Sequence, residues 1–150
     1  MREIIFEALK VAMKSRNKRR TSTLRLVQAA IKDRDIAART RGTDPSSDED
    51  ILQILSKMIK QREDSSRIYE EAGRLELCEQ EREEIEIIRE FLPRQMSEDE
   101  VRDACSHACV EVGGSGLRDM GKAMAILKAN YPGQMDFGRA SVVVKGILAN

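Results

Sequence analysis

The segment 113–128, GGSGLRDMGKAMAILK, places Gly113, Gly114 and Gly116 within four positions and follows them with Gly121-Lys122. Gly116-Leu-Arg-Asp-Met-Gly121-Lys122 fits the G-x-x-x-x-G-K frame of a nucleotide phosphate loop. That loop needs Ser or Thr at the next position to hold magnesium, and a buried strand ahead of it. Ala123 offers no oxygen, and Val101–Val112 reads as a helix. Nucleotide hydrolysis is therefore not expected. A simpler anion chemistry fits the same residues: Gly113, Gly114 and Gly116 can expose backbone N–H groups at a helix start, where phosphate oxygens are favoured. Arg118 and Lys122 are four residues apart, and Lys128, Arg139 and Lys145 lie further on, along the last two helices. The competing account is that the glycines permit a tight interhelical turn and the cations only solubilise. On the residues alone the two accounts stand level.

Two other sets can be weighed. Cys105 and Cys109 share a helix face at i, i+4, but no second pair of ligands completes a tetrahedral site, and Cys105 sits on an apolar stripe. No metal is expected. His107 is the single histidine, so any Ser–His or Cys–His nucleophilic pair must use it. It falls on the polar side of its helix. Carboxylate pairs such as Glu83-Glu84 lie among many others and are expected to face solvent. No catalytic set and no cofactor motif emerges.

The elements that position these residues are helices throughout. Aromatics make up 3% of the chain and charged residues 35%, and the dominant residues are good helix formers. Ile5, Leu9 and Ala12 predict a helix over about 2–14. SRNKRR, 15–20, reads as a basic connector, with Thr21 or Ser22 capping a second helix to about Arg41. Gly42 stops it. Ser47 and Asp50 form a capping box for a third helix, and Gly73 ends that one. A fourth runs from about Leu75 to Phe91, with Leu77, Ile85, Ile88 and Leu92 inward, and Pro93 ends it. Ser97 and Glu100 form a second capping box, ahead of Val101, Ala104, Cys105, Ala108 and Val112. A sixth helix carries Leu117, Met120, Met124 and Leu127. Its Gly121 is expected to admit close approach by the fifth or seventh helix. Asp136 caps the seventh. The expectation is an all-α, multihelical fold: a four-helix N-terminal bundle over 1–93 and a three-helix C-terminal unit over 94–150.

Net charge is zero, but it is unevenly spread. Residues 1–41 carry 12 Lys/Arg against 4 Asp/Glu, residues 42–92 carry 7 against 15, and residues 113–150 carry 5 against 2. Such blocks can mark a polyanion surface. For residues 1–41 the favoured expectation is that basic and acidic helices pack side by side and neutralise each other. Three cysteines without disulfide spacing, no signal-peptide pattern and no membrane-length apolar run point to the cytoplasm, away from membranes.

Several stretches resemble one family. Leu24-Arg-Leu-Val-Gln-Ala-Ala-Ile-Lys-Asp-Arg-Asp-Ile-Ala-Ala-Arg39, Lys57-Met-Ile-Lys-Gln-Arg62, Tyr69-Glu-Glu-Ala-Gly-Arg74, Phe91-Leu-Pro93 and Gly116-Leu-Arg-Asp-Met-Gly-Lys-Ala-Met124 are similar, in register, to the GatB/YqeY family. Its small stand-alone members resemble the tail of the B subunit of the tRNA-dependent amidotransferase. The resemblance implies a carbon–nitrogen ligase context with glutamine as amide donor. It also implies that the amidase and activating sites lie on parts this chain does not resemble. A non-catalytic tRNA-binding accessory module is the leading expectation, with the glycine turn and C-terminal cations as its surface. The alternative is a protein-interaction module docking through the charged N-terminal helices, and an independent small enzyme comes third.

Overall fold

The computed structural model describes residues 1–114 and 116–149, so Ser115 of the glycine-rich segment lies outside the described residues. Every regular element among those residues is helical. The chain forms two compact units, Met1–Leu92 and Pro93–Asn150.

The first unit contains α1 (Arg2–Lys14), α2 (Lys18–Thr40), α3 (Asp48–Glu71) and α4 (Leu75–Arg89). Their apolar stripes meet in a core built around Ile5, Val27, Ile31, Ile51, Leu55 and Ile88. Each such side chain contributes roughly 1.5–3 kcal/mol when fully buried. A smaller cluster of Leu9, Ala12 and Leu24 packs with Ile87 and Phe91. The Ser47–Asp50 capping box forms reciprocally, with both hydrogen bonds in place. Gly42 and Gly73 come after α2 and α3 at φ +71° and +73°, the left-handed region that ends helices on glycine.

Three local expectations change. α2 begins at Lys18, because Asn17 and not Thr21 or Ser22 is its cap; the Asn17 side chain accepts from the Arg20 N–H at 3.1 Å. The basic connector thus shrinks to three residues, turned by Arg16 at φ +58°. α4 ends at Arg89, and Leu77 is exposed where Cys78 takes the inward position. Glu84 does not face solvent. It is buried and accepts from Arg62 Nε at 2.9 Å, while Arg19 lies 3.8 Å away on the other side. Burial pushes the neighbouring Glu81 carboxyl above its ordinary range, and the Glu84 charge adds to the effect.

The second unit contains α5 (Glu98–Glu111), α6 (Met120–Asn130) and α7 (Phe137–Ala149), each packed on the other two. The Ser97–Glu100 capping box opens α5, and Asp136 accepts from the N–H groups of Gly138 and Arg139 at the start of α7. Small residues dominate the core: Ala104, Cys105, Ala108, Cys109, Ala123 and Ala140 meet Leu127, Val144 and Leu148. Ahead of α5, Met96 N–H donates to Gln134 O at 2.9 Å, and the Gln95 amide donates to Gly133 O at 2.7 Å.

Gly121 corrects an expectation. It is exposed, and a Cβ built on it would meet no atom within 4 Å, so no neighbouring helix approaches there. The close approach is at Gly114 instead. It sits at φ +26°, and a Cβ there would lie 2.8 Å from the carbonyl oxygen of Cys109.

Candidate nucleic-acid interface

The glycine turn is mostly a helix terminator. Val112 N–H donates to Ala108 O and Gly113 N–H to Val110 O, closing the last turn of α5. Gly113, at φ +84°, is the left-handed residue that ends the helix, and Gly114 lies under Cys109. Gly116 is extended. The next element is not an α-helical start but one 3₁₀ turn, Leu117–Asp119, with α6 beginning only at Met120. Of the glycine donors, the Gly113 N–H is spent on closing α5, and the dipole of so short a turn as Leu117–Asp119 is small.

The cations fare differently. Arg118, Lys122, Lys128, Arg139 and Lys145 are all exposed. Arg118 lies in the 3₁₀ turn, so its pairing with Lys122 spans a change of helix type. On α6, Lys122 and Lys128 point about 120° apart, and on α7 Arg139 and Lys145 do likewise, from 100° per residue. The two cations of each helix therefore lie on different faces of it. Arg139 has a carboxylate nearby, its own cap Asp136 at 3.8 Å. Of the two acids of residues 113–150, Asp119 is buried, while Asp136 is exposed and caps α7. The excess positive charge of this segment is thus displayed at the surface.

Ala123, in the position a phosphate loop would give to Ser or Thr, is fully buried against the unit's core. The element before the turn is α5, not a strand. Cys105 and Cys109 are buried and both thiols are pushed up by burial, so neither is a ready thiolate; Cys105 Sγ lies 3.8 Å from Ala140 O. His107 is exposed on α5. The described residues hold no group of three or more His, Cys, Asp or Glu side chains placed to hold a metal ion.

The first unit holds a pattern that segment totals conceal. Of the twelve cations in residues 1–41, Arg2, Arg19, Arg20 and Arg34 pair with carboxylates: Asp35, Glu83 and Glu84, Glu90, and Asp50 respectively. The pairs of Arg19, Arg20 and Arg34 reach the acidic block, and to that extent the basic and acidic helices neutralise each other; Arg2–Asp35 lies within residues 1–41. The other eight form no ion pair among the described residues. Four of these, Lys18, Arg25, Lys32 and Arg39, recur every seven residues along α2, and all are exposed. Seven residues fall about 20° short of two full turns, so the four lie on one nearly straight ridge roughly 32 Å long. The signal was available in the sequence as a period of seven, and counting charge by segment hid it.

Comparison with known proteins adds the family to this geometry. The family model described as YqeY-like protein matches residues 2–148. The chain belongs to the YqeY-like family. An uncharacterised protein of Schizosaccharomyces pombe is 33% identical over 97 residues, covering 65% of this chain and 76% of that protein. A Clavispora lusitaniae protein named altered inheritance of mitochondria protein 41, mitochondrial, is 29% identical over 106 residues, 69% of this chain. This YqeY-like chain spans 59% of that relative's length. Among the described residues no helix is long and apolar enough to cross a membrane.

Proposed function

We propose that this YqeY-like chain is a non-catalytic tRNA-binding accessory module of the amidotransferase kind, working in the cytoplasm. The observation that carries the proposal is the display of charge on residues 113–150: five exposed cations, with one acid buried and the other engaged in capping. A surface of separated cations holds phosphates by position and charge, without reading sequence. Tyr131 is the one aromatic near the end of α6 and is half-buried, so base stacking is not the main contact. This arrangement suits a folded RNA recognised by shape and backbone. Any amide-transfer chemistry would belong to a partner.

The test is equilibrium binding of labelled tRNA to wild type and to Arg118→Gln/Lys122→Gln at several salt concentrations. Each lost phosphate contact removes about 0.7–0.9 from the log–log salt slope, so the double variant should flatten it by roughly 1.5. Equal binding by both proteins would remove these residues from the interface. Binding of a protein that persists in the double variant, with no binding of tRNA by wild type, would favour docking through the charged N-terminal helices instead.

A further inference from the structure

The ridge on α2 is the strongest charged feature of the molecule that the C-terminal surface does not use. Lys18, Arg25, Lys32 and Arg39 stand about 10 Å apart, by the 1.5 Å rise per residue. They have no carboxylate within ion-pair distance among the described residues and are all exposed. Four cations spread over roughly 32 Å cannot all converge on one phosphate or carboxylate. Charge complementarity therefore asks for an extended, linear polyanion. Ala29 and Ile36 lie between the cations on the same side of the helix, both exposed.

Three occupants can be compared on these residues. An anionic membrane would call for a helix with an apolar face left over to insert. The apolar stripe of α2, Leu24, Val27 and Ile31, is already fully buried in the first unit, and the exposed Leu26 and Ile36 are ten residues apart and form no continuous face. A protein partner would call for anchors desolvated together near the centre of a patch, commonly Trp, Tyr or Arg. The ridge carries no aromatic, and Arg25 and Arg39 stand about 21 Å apart. A single strand would stack its bases on aromatic side chains, which are again missing. A duplex offers phosphates flanking successive grooves along its axis, and a row of cations is enough to meet them.

We propose that this ridge is a second nucleic-acid surface, on the first unit, that tracks the phosphate backbone of a double-stranded RNA stem. The choice of RNA rests on the proposed tRNA function, but the residues do not, and the experiment separates the two. Four contacts would give the ridge a share of roughly −2.8 to −3.6 in the log–log salt slope, a loss of about 50- to 150-fold in affinity between 50 and 200 mM salt.

The experiment uses the full chain and a labelled blunt RNA duplex of about 16 base pairs, the span a duplex-binding module covers. Binding is followed by anisotropy across that salt range. Arg25→Gln/Lys32→Gln should flatten the slope by about 1.5, leaving the ridge's share near tenfold over the same range. The charge-keeping Arg25→Lys/Lys32→Arg should behave as wild type, and all three should melt alike, since the side chains are exposed. An unchanged slope and affinity in Arg25→Gln/Lys32→Gln would overturn the proposal, even if Arg118→Gln/Lys122→Gln weakens tRNA and the C-terminal surface stands. Ridge-dependent binding to phosphatidylserine vesicles without binding to the duplex would also overturn it. If only the ridge variant weakens binding, this proposal holds and the C-terminal one fails.

Discussion

Replacing Glu84 by Leu should destabilise the first unit far more than an ordinary surface carboxylate would. Glu84 and Arg62 are joined at 2.9 Å with side chains only 9% and 13% exposed. Removing one member of a buried pair leaves the other charge uncompensated and typically costs about 3–5 kcal/mol. In Glu84→Leu the Arg62 guanidinium would keep one hydrogen bond, to the carbonyl of Met58 at 3.3 Å, and the weaker attraction of the Glu81 carboxylate. Residual water access places the expected cost near the lower end, about 3 kcal/mol. With urea slopes of roughly 1–3 kcal/mol/M, the unfolding midpoint should fall by about 1–3 M. The paired variant Arg62→Met/Glu84→Leu separates this account from simple loss of contacts. If desolvated charge is the cause, the apolar pair should recover to within about 1 kcal/mol of wild type. Arg19→Ala is the control: Arg19 is 38% exposed where it faces Glu83 and Glu84, so its loss should cost no more than about 1 kcal/mol. A double variant as unstable as Glu84→Leu, or a single variant indistinguishable from wild type, would refute the reasoning.

Two glycines should respond in opposite directions in thermal melts. Gly121→Ala meets no atom within 4 Å at ordinary φ, so it should stabilise by about 0.4–1 kcal/mol through lost freedom of the unfolded chain. Gly114→Ala, forced against Cys109 O at positive φ, should destabilise by about 1–3 kcal/mol. Acid should weaken the fold through two carboxylates held by cations and caps. The Arg2 guanidinium, helped by the Ser46 N–H, holds the Asp35 carboxyl well below the usual carboxylate range. Arg94 and the Ser97 N–H lower Glu100 from 4.5 to about 2. Groups with depressed values stabilise fully above their unfolded pKa and lose that contribution as pH falls through the folded one. Urea midpoints should thus be level with respect to these two groups above about pH 5 and fall toward pH 2. Asp35→Asn should remove the Asp35 part of that fall, and an unaltered pH profile in that variant would contradict the assignment.

Helix positions were legible because local chemistry declares them. Ser47 with Asp50, Ser97 with Glu100, and the glycines at 42 and 73 act within a turn of their own position, and each does what its spacing indicates. One feature that misled depended on a neighbour distant in sequence. Glu84 looked solvated because a stripe argument counts every carboxylate as polar, while its burial depends on Arg62, 22 residues away. The close approach expected at Gly121 does not occur, because a glycine inside a helix does not reveal which face meets another helix. Asn17, the actual cap, sits inside the basic run that reads as a connector, and that run disguised the helix start. In the candidate interface, the exposure of Arg118, Lys122, Lys128, Arg139 and Lys145 came from their places on apolar-striped helices. The 3₁₀ turn that replaces the expected helix start was not legible in that way.

The central claim is that the chain alone holds tRNA through separated phosphate contacts. The most direct measurement is the affinity of unmodified wild-type protein for labelled tRNA as a function of salt. About three contacts on the second unit predict a log–log slope of roughly −2 to −3, and steeper if the α2 ridge also engages. No binding at low salt, or binding that does not weaken as salt rises, would contradict the account.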